Sequence, residues 1–288
     1  MLNFGIETLI TDSSIRAVEL ARWAEANNFE SLFMGAHSHI PTSRRTPFPS
    51  GGPLPEYYKH FADPFIELTA AAAVTEKLKV GTGVSLITEH HPISLAKTVA
   101  NLDRLSHGRF LFGIGAGWNA EEMANHGVDF KDRWKVTRER VLAMREIWAK
   151  EEAEFHGQFV DFAPIWCWPK PVRAGGPPIL LGVGASKWMP KRVVEYCNGW
   201  MPVDGLDDVA AGVAALRTEA VRTGRSLEEF DLSVLAAYGV YGATGTERRI
   251  RELSELGFKR ILFVLEPGPP DTQWPVLEQF ASLVKKFQ

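Results

Sequence analysis

Residues 107–126 read HGRFLFGIGAGWNAEEMANH: an apolar run stops in alternate glycines, Gly113, Gly115 and Gly117, before Trp118, Asn119 and two acidic residues open a helix. A strand that ends this way lets its backbone approach a flat or phosphorylated ligand, because no side chain stands between them. Asn119 followed by Ala120, Glu121 and Glu122 is equally a good helix start, with the amide side chain accepting from first-turn N–H groups and the acids facing the positive end of the helix dipole. Strand, glycine turn and helix make one βα unit of a parallel sheet.

The same unit recurs in both directions along the 288 residues. Candidate strands at 2–7, 31–35, 78–86, 109–114, 178–183, 199–202, 232–241 and 260–265 alternate with helical segments. The clearest of these places Trp134, Thr137, Val141, Met144 and Trp148 on one stripe, and the last repeats the pattern with Val276, Phe280, Leu283 and Phe287. Eight such units predict a single (β/α)₈ barrel domain over 1–288, with an open doubly wound sheet as the alternative. Two stretches depart from the pattern. Residues 36–62, after the second strand, are too rich in Pro, Gly and Ser for a helix and read as a lid or binding loop. Residues 152–178, between the fourth and fifth strands, read as a short hairpin and a proline-stiffened connection.

At 45% hydrophobic and 23% charged the chain can bury a large core. A net charge of −3 without a basic block argues against nucleic acid as a partner. No apolar run approaches the roughly 20 residues that span a bilayer, and the opening MLNFGIETLITDSS has no signal-like pattern, so a cytoplasmic protein is expected. Cys167 and Cys197 form neither a CxxC pair nor a disulfide framework.

His37 and His39, just past the second strand in GAHSHIP, are placed to act as acid, base or hydrogen-bond donor at a barrel mouth, or simply to bond loop backbone. With Glu89, His90 and His91 they also admit a metal reading, for which no strand-end Asp or Lys completes the set. Gly81, Thr82, Gly83 and Val84 interrupt the third strand, as a bulge, a close ligand approach or simple packing would require. In GVGASKWMPKR, Gly182, Gly184, Ala185 and Ser186 offer amides and a hydroxyl for a phosphate, near Lys187, Lys191 and Arg192, although a plain turn would read the same way. Trp118, Trp166, Trp168, Trp188 and Trp200 are expected in the core or along a cleft wall.

Taken together, ESLFMGAHSHIPTSR, DPFIELTAAAAVTEKLKVGTGV, LAKTVANLDRLSHGRFLFGIGAGWNAEEM and the later YCNGWMP resemble the bacterial-luciferase-like oxidoreductases, and among them those dependent on coenzyme F420, a deazaflavin hydride carrier. The resemblance spans nearly the whole chain and implies a (β/α)₈ barrel with insertions, paired as a homodimer through barrel helices. It implies that the tricyclic ring lies against the early strands, with His37 near it as the first catalytic candidate and His39 as the second. Gly83 and Val84 then back the ring at a bulge that often carries a non-proline cis peptide. Gly115 and Asn119 meet the ring-to-ribityl segment, and Gly182, Gly184, Ala185 and Ser186 meet the phosphate. Two positions depart from the family: Ala116 stands where some relatives carry a glutamate acid, and Ala36 where an acidic residue commonly precedes the histidine. The implied activity is hydride transfer between F420 and a small organic substrate held under residues 36–62. An FMN-dependent monooxygenase is the alternative, followed by a metal-dependent hydrolase and a cofactor-binding protein without catalysis.

Overall fold

The computed structural model describes residues 2–35, 37–236 and 242–287. The first strand, β1 (Asn3–Thr8), pairs in parallel with β2 (Ser31–Met34) on one side and with the last strand, at Arg260–Leu265, on the other. Ile6 stands opposite both Leu32 and Phe263, and at the far end of the strand order Val80 and Gly81 pair with Phe110 and Leu111, so the sheet closes on itself and the open-sheet alternative falls away. Next to β2 runs β3 (Lys79–Thr82), resumed after a break by β4 (Ser85–Leu86); both pair with β5 (Phe110–Gly115). The hairpin of β6 (Glu152–His156) and β7 (Asp161–Trp166) stands apart as its own antiparallel sheet. The barrel is completed by β8 (Ile179–Leu181), β9 (Gly199–Trp200), β10 (Asp231–Ala236) and β11 (Arg260–Leu265). Counting β3 and β4 as one interrupted strand, this is the expected eight-stranded (β/α)₈ barrel. Ala36 and the second half of the strand expected at 232–241 lie outside the described residues.

Around it pack α1 (Ala17–Ala26), α2 (Pro64–Ala73), α3 (Pro92–Leu105), the short α4 (Ala120–Asn125), α5 (Arg133–Ala149), α6 (Met189–Tyr196), α7 (Val209–Arg222), α8 (Gly242–Glu255) and α9 (Pro270–Val284). Local chemistry sets several of their starts. Asp63 caps α2, whose first residue is Pro64, and Asn119 caps α4 by accepting from the amides of Glu121 and Glu122. The stripe read in 134–148 holds: Thr137, Val141, Met144 and Trp148 are buried on α5.

Strand alternation separates two cores. Phe4 and Ile6 of β1 face the helices, whereas Phe33, Leu111, Leu180, Met201 and Leu262 fill the barrel interior, with Val84 and Leu235 at the edge of that plug. Trp200 is wholly buried, as expected, but Trp166, Trp168 and Trp188 are not core or wall residues: 77%, 54% and 56% of their surface is exposed. The last two lie under the ammonium groups of Lys170 and Lys187, a surface cation–π arrangement that needs no burial. Both cysteines are buried and unpaired.

Candidate active site

The barrel mouth opens into a cavity of about 360 Å³ whose floor is the top of the interior plug. Val84, Met201 and Leu235 form that floor, Leu9, Leu86 and Val203 the walls, and His37, Tyr58 and Trp118 the side under the insertion. The glycines of 107–126 explain how Val84 comes to be there. The Gly83–Val84 peptide is cis and occupies the break between β3 and β4. A Cβ on Gly115 would stand 2.9 Å from one Val84 methyl, and a Cβ on Gly182 would collide with the other. A Cβ on Gly113 would strike the Thr82 carbonyl, which lies beside a 2.7 Å bond from Thr82 Oγ1 to the Gly113 carbonyl. These glycines therefore make room for the interrupted strand, and Val84 presents its flat apolar surface to the cavity.

His37 is held at both ring nitrogens. The Trp118 indole donates to Nε2 over 3.2 Å, so the proton of the neutral ring is on Nδ1, which donates to Glu122 Oε2 over 2.7 Å. Burial draws the pKa of His37 down to about 4 and so keeps the ring neutral. Glu122, 2% exposed, is pushed up to about 7 by burial. Glu89 is pushed up to about 8 by burial and by Glu122, and accepts from the Ser38 amide over 3.1 Å. Their polar atoms and those of His37 lie within 4.8 Å of one another, and Glu122 Oε1 is buried without a hydrogen-bond partner. A cation on this trio would have to bind Nδ1, sending its proton to Nε2, where the indole N–H already points. The donor set fits a shared proton better than a metal.

The second expected histidine goes elsewhere. His39 is exposed and bonds Ser38 Oγ at 3.0 Å and Asn125 at 2.8 Å, so the His37–His39 pair does not converge on one site. Asn119 is buried as a helix cap, and Ala116 is buried with its carbonyl taken by Thr88. At the turn after β8, Gly182 and Gly184 border the cavity and Ser186 is exposed. The Ala185 amide donates to Asp207 Oδ1 over 3.1 Å, so a phosphate seated on this turn displaces a carboxylate.

Three carboxylates that sequence reasoning left without a role in this site build it. Glu7, near the end of β1, alternates to the inside of the barrel and lines the cavity. No hydrogen bond or ion pair reaches its carboxyl among the described residues, and burial, reinforced by Glu266, pushes its pKa up to about 8. The available signal was its parity: in NFGIET, Glu7 shares the inward side of β1 with Gly5. Glu121 and Glu122 had been accounted for as helix-start acids. Instead, Glu121 grips the insertion, accepting from Ser43 Oγ at 3.0 Å, from the amides of Arg45 at 3.1 Å and Thr46 at 3.2 Å, and from the Thr46 hydroxyl. Farther along the insertion, Tyr58 and Phe61 close over His37, with ring centroids 5.6 and 6.1 Å away. The insertion is thus a lid, pinned to α4 at one arm and carrying aromatic rings over the cavity at the other.

A closed barrel with its cavity at the C-terminal strand ends, a lid after the second strand and an interrupted third strand invite comparison with known proteins. An uncharacterized protein of Mycobacterium tuberculosis is 34% identical over 284 residues, covering 98% of both chains. The monooxygenase RslO1 from Streptomyces bottropensis superposes with a TM-score of 0.78 at 20% identity over 100% of both chains. The coenzyme F420-dependent tetrahydromethanopterin reductase from Methanopyrus kandleri gives a TM-score of 0.72 at 19% identity, covering 98% of this chain and 97% of its own. The family model of the luciferase-like monooxygenases matches residues 6–259, the span that contains the lid, the broken strand and nearly the whole barrel, and the chain belongs to that family.

Proposed function

We propose that the protein is an oxidoreductase that transfers a hydride between coenzyme F420 and a small organic substrate held beneath the lid. The observation that carries this reading is the buried Glu7 carboxyl, which lines a largely apolar cavity, has no hydrogen-bond or ion-pair partner among the described residues, and is pushed by burial toward its protonated form. When bound, the deazaflavin supplies or accepts the hydride, and the chain's own residues supply position, dryness and a proton. Val84, Met201 and Leu235 present the flat apolar surface that a tricyclic ring needs. Hydride addition to a carbonyl carbon leaves charge on its oxygen, and the Glu7 O–H donates the proton that completes the alcohol; the carboxylate then recovers a proton from solvent. Oxidation runs the same steps backwards. His37 has both nitrogens engaged, so it acts as a positioning residue that holds Trp118 against the cavity. Ala116 leaves no acid in the fourth-strand loop, and Glu7 takes that place from the first strand.

Gly182, Gly184, Ala185 and Ser186 would hold the cofactor's phosphate, with the Ala185 amide, now bonded to Asp207, available to it on exchange. Exposed Ile66 on α2 and Leu105 on α3 fit a homodimer formed through barrel helices. No described helix is long and apolar enough to cross a membrane, and the reading places the protein in the cytoplasm.

Fluorescence titration with F420 and, in parallel, with FMN tests the proposal. Saturable, stoichiometric binding of F420 is expected. Binding of FMN without F420 overturns it in favour of an FMN-dependent monooxygenase; RslO1 is a monooxygenase, as is a Streptomyces nodosus relative, 4-hydroxyprotoasukamycin monooxygenase, 25% identical over 272 residues. Oxygen consumption with FMN and a flavin reductase would then identify it.

A further inference from the structure

The charges around the cavity select among substrates, an inference that rests on reading the cavity as the substrate and cofactor site. We infer that the protein acts on small, uncharged carbonyl or imine compounds with a flat apolar skeleton, and rejects substrates bearing a carboxylate or phosphate. Among the described residues no lysine or arginine lines the cavity; the acid–base side chains there are Glu7, His37 and Tyr58. Ala36 and residues 237–241 (AYGVY), outside the described set, contain no charged residue.

What charge stands nearby is of the wrong sign for an anion. Glu266 bears on both Glu7 and Tyr57 at the mouth. Arg249 of α8 is tied to Asp204 at 2.8 Å and to Glu252 at 2.9 Å. At the Glu7 end of the cavity, away from the turn after β8 that would take the cofactor phosphate, a carboxylate or phosphate on the substrate would lose its hydration and find no cation among the described lining residues to replace it. An uncharged carbonyl or imine finds a hydrogen-bond donor in the Glu7 carboxyl, which has no partner among the described residues. Tyr58, Phe61 and Trp118 supply rings for a flat skeleton, grouped around His37.

The test separates this inference from the cofactor assignment by using two readouts. First, cofactor binding is followed by fluorescence, and its failure strikes the proposed function. Second, with the cofactor bound, matched ligands on one skeleton are compared by tryptophan quenching and by turnover: cyclohexanone and benzaldehyde against 4-oxocyclohexanecarboxylate and 4-carboxybenzaldehyde. The uncharged members are expected to bind, and the carboxylates to be at least about 100-fold weaker. Val203→Lys, which puts a cation in the wall, is expected to narrow that gap at least about tenfold. Equal binding of charged and uncharged members, or no binding of the uncharged ones at millimolar concentration, overturns the inference while leaving the cofactor result standing.

Discussion

Two buried glutamates at opposite ends of the same barrel are held in opposite states. Glu30, at the N-terminal rim just before β2, meets the guanidinium of Arg260 at 2.8 Å and Lys79 at 2.6 Å, and these partners hold its pKa down at about 2 despite burial. Arg260, itself only 4% exposed, also binds Asp231 and Ser233, so the lower rim is a closed ionic network. Glu7, at the C-terminal rim, is more deeply buried and meets no cation among the described residues, and burial pushes its pKa up to about 8. Glu89 and Glu122 share that condition. The lower rim uses its acids to hold strands together, whereas at the upper rim Glu121 holds the lid and Glu7, Glu89 and Glu122 are pushed by burial toward the protonated form. Stability and chemistry are thus divided between the two ends of the barrel, as its architecture allows.

The largest expected effect breaks the lower rim. Arg260→Ala removes the hub of a buried network and leaves Asp231 unpaired, which should lower unfolding stability by about 3 to 5 kcal/mol in a denaturant titration while cofactor affinity stays at its wild-type value. Glu7→Gln does the reverse at the upper rim. It keeps a neutral group of nearly the same shape, so folding should be preserved, and turnover should fall by about 100-fold or more because the donated proton is gone. Unchanged turnover would remove Glu7 from the chemistry.

The pH dependence of stability sharpens the contrast. Glu7 has a folded pKa near 8 against an ordinary 4.5, so its contribution is present in full below pH 4.5 and is lost as pH rises through about 8. Glu89 and Glu122 act in the same direction. His37, lowered from 6.5 to about 4, costs stability as pH falls between those values. Glu30, lowered to about 2, keeps its contribution until far more acidic pH. Between pH 6.5 and 8.5 the wild-type Tm should therefore fall, and that of Glu7→Gln should fall less; parallel curves would contradict the assignment. The smallest effect concerns the lid. Glu121→Gln should weaken the grip on Ser43, Arg45 and Thr46 by about 1 kcal/mol, read as faster proteolysis within the insertion with little change in global Tm.

The fold was legible because its signal is periodic. Apolar runs and helical stripes recur, and even the break at Gly83 and Val84 is written in small residues. The site was legible only in part, because its contacts join distant residues. His37 was readable from its place after a strand, but its partners, Glu122 and Trp118, lie more than 80 positions away and looked like the ordinary start of a helix. Gly113, Gly115 and Gly182 also clear Thr82 and Val84, and the part Val84 takes in the cavity floor depends on contacts between strands that no local pattern announces. Glu7 shares its side of β1 with Gly5, but a strand of six residues does not say which side is inward until the closure of the barrel shows it.

The account depends most on the protonation state of Glu7, and that can be measured directly. In protein labelled with ¹³C at glutamate carboxyls, the resonance that disappears in Glu7→Gln should titrate near pH 8 in the wild type. Titration of that resonance at or below 4.5 would show an ionised carboxylate in the cavity and contradict the account.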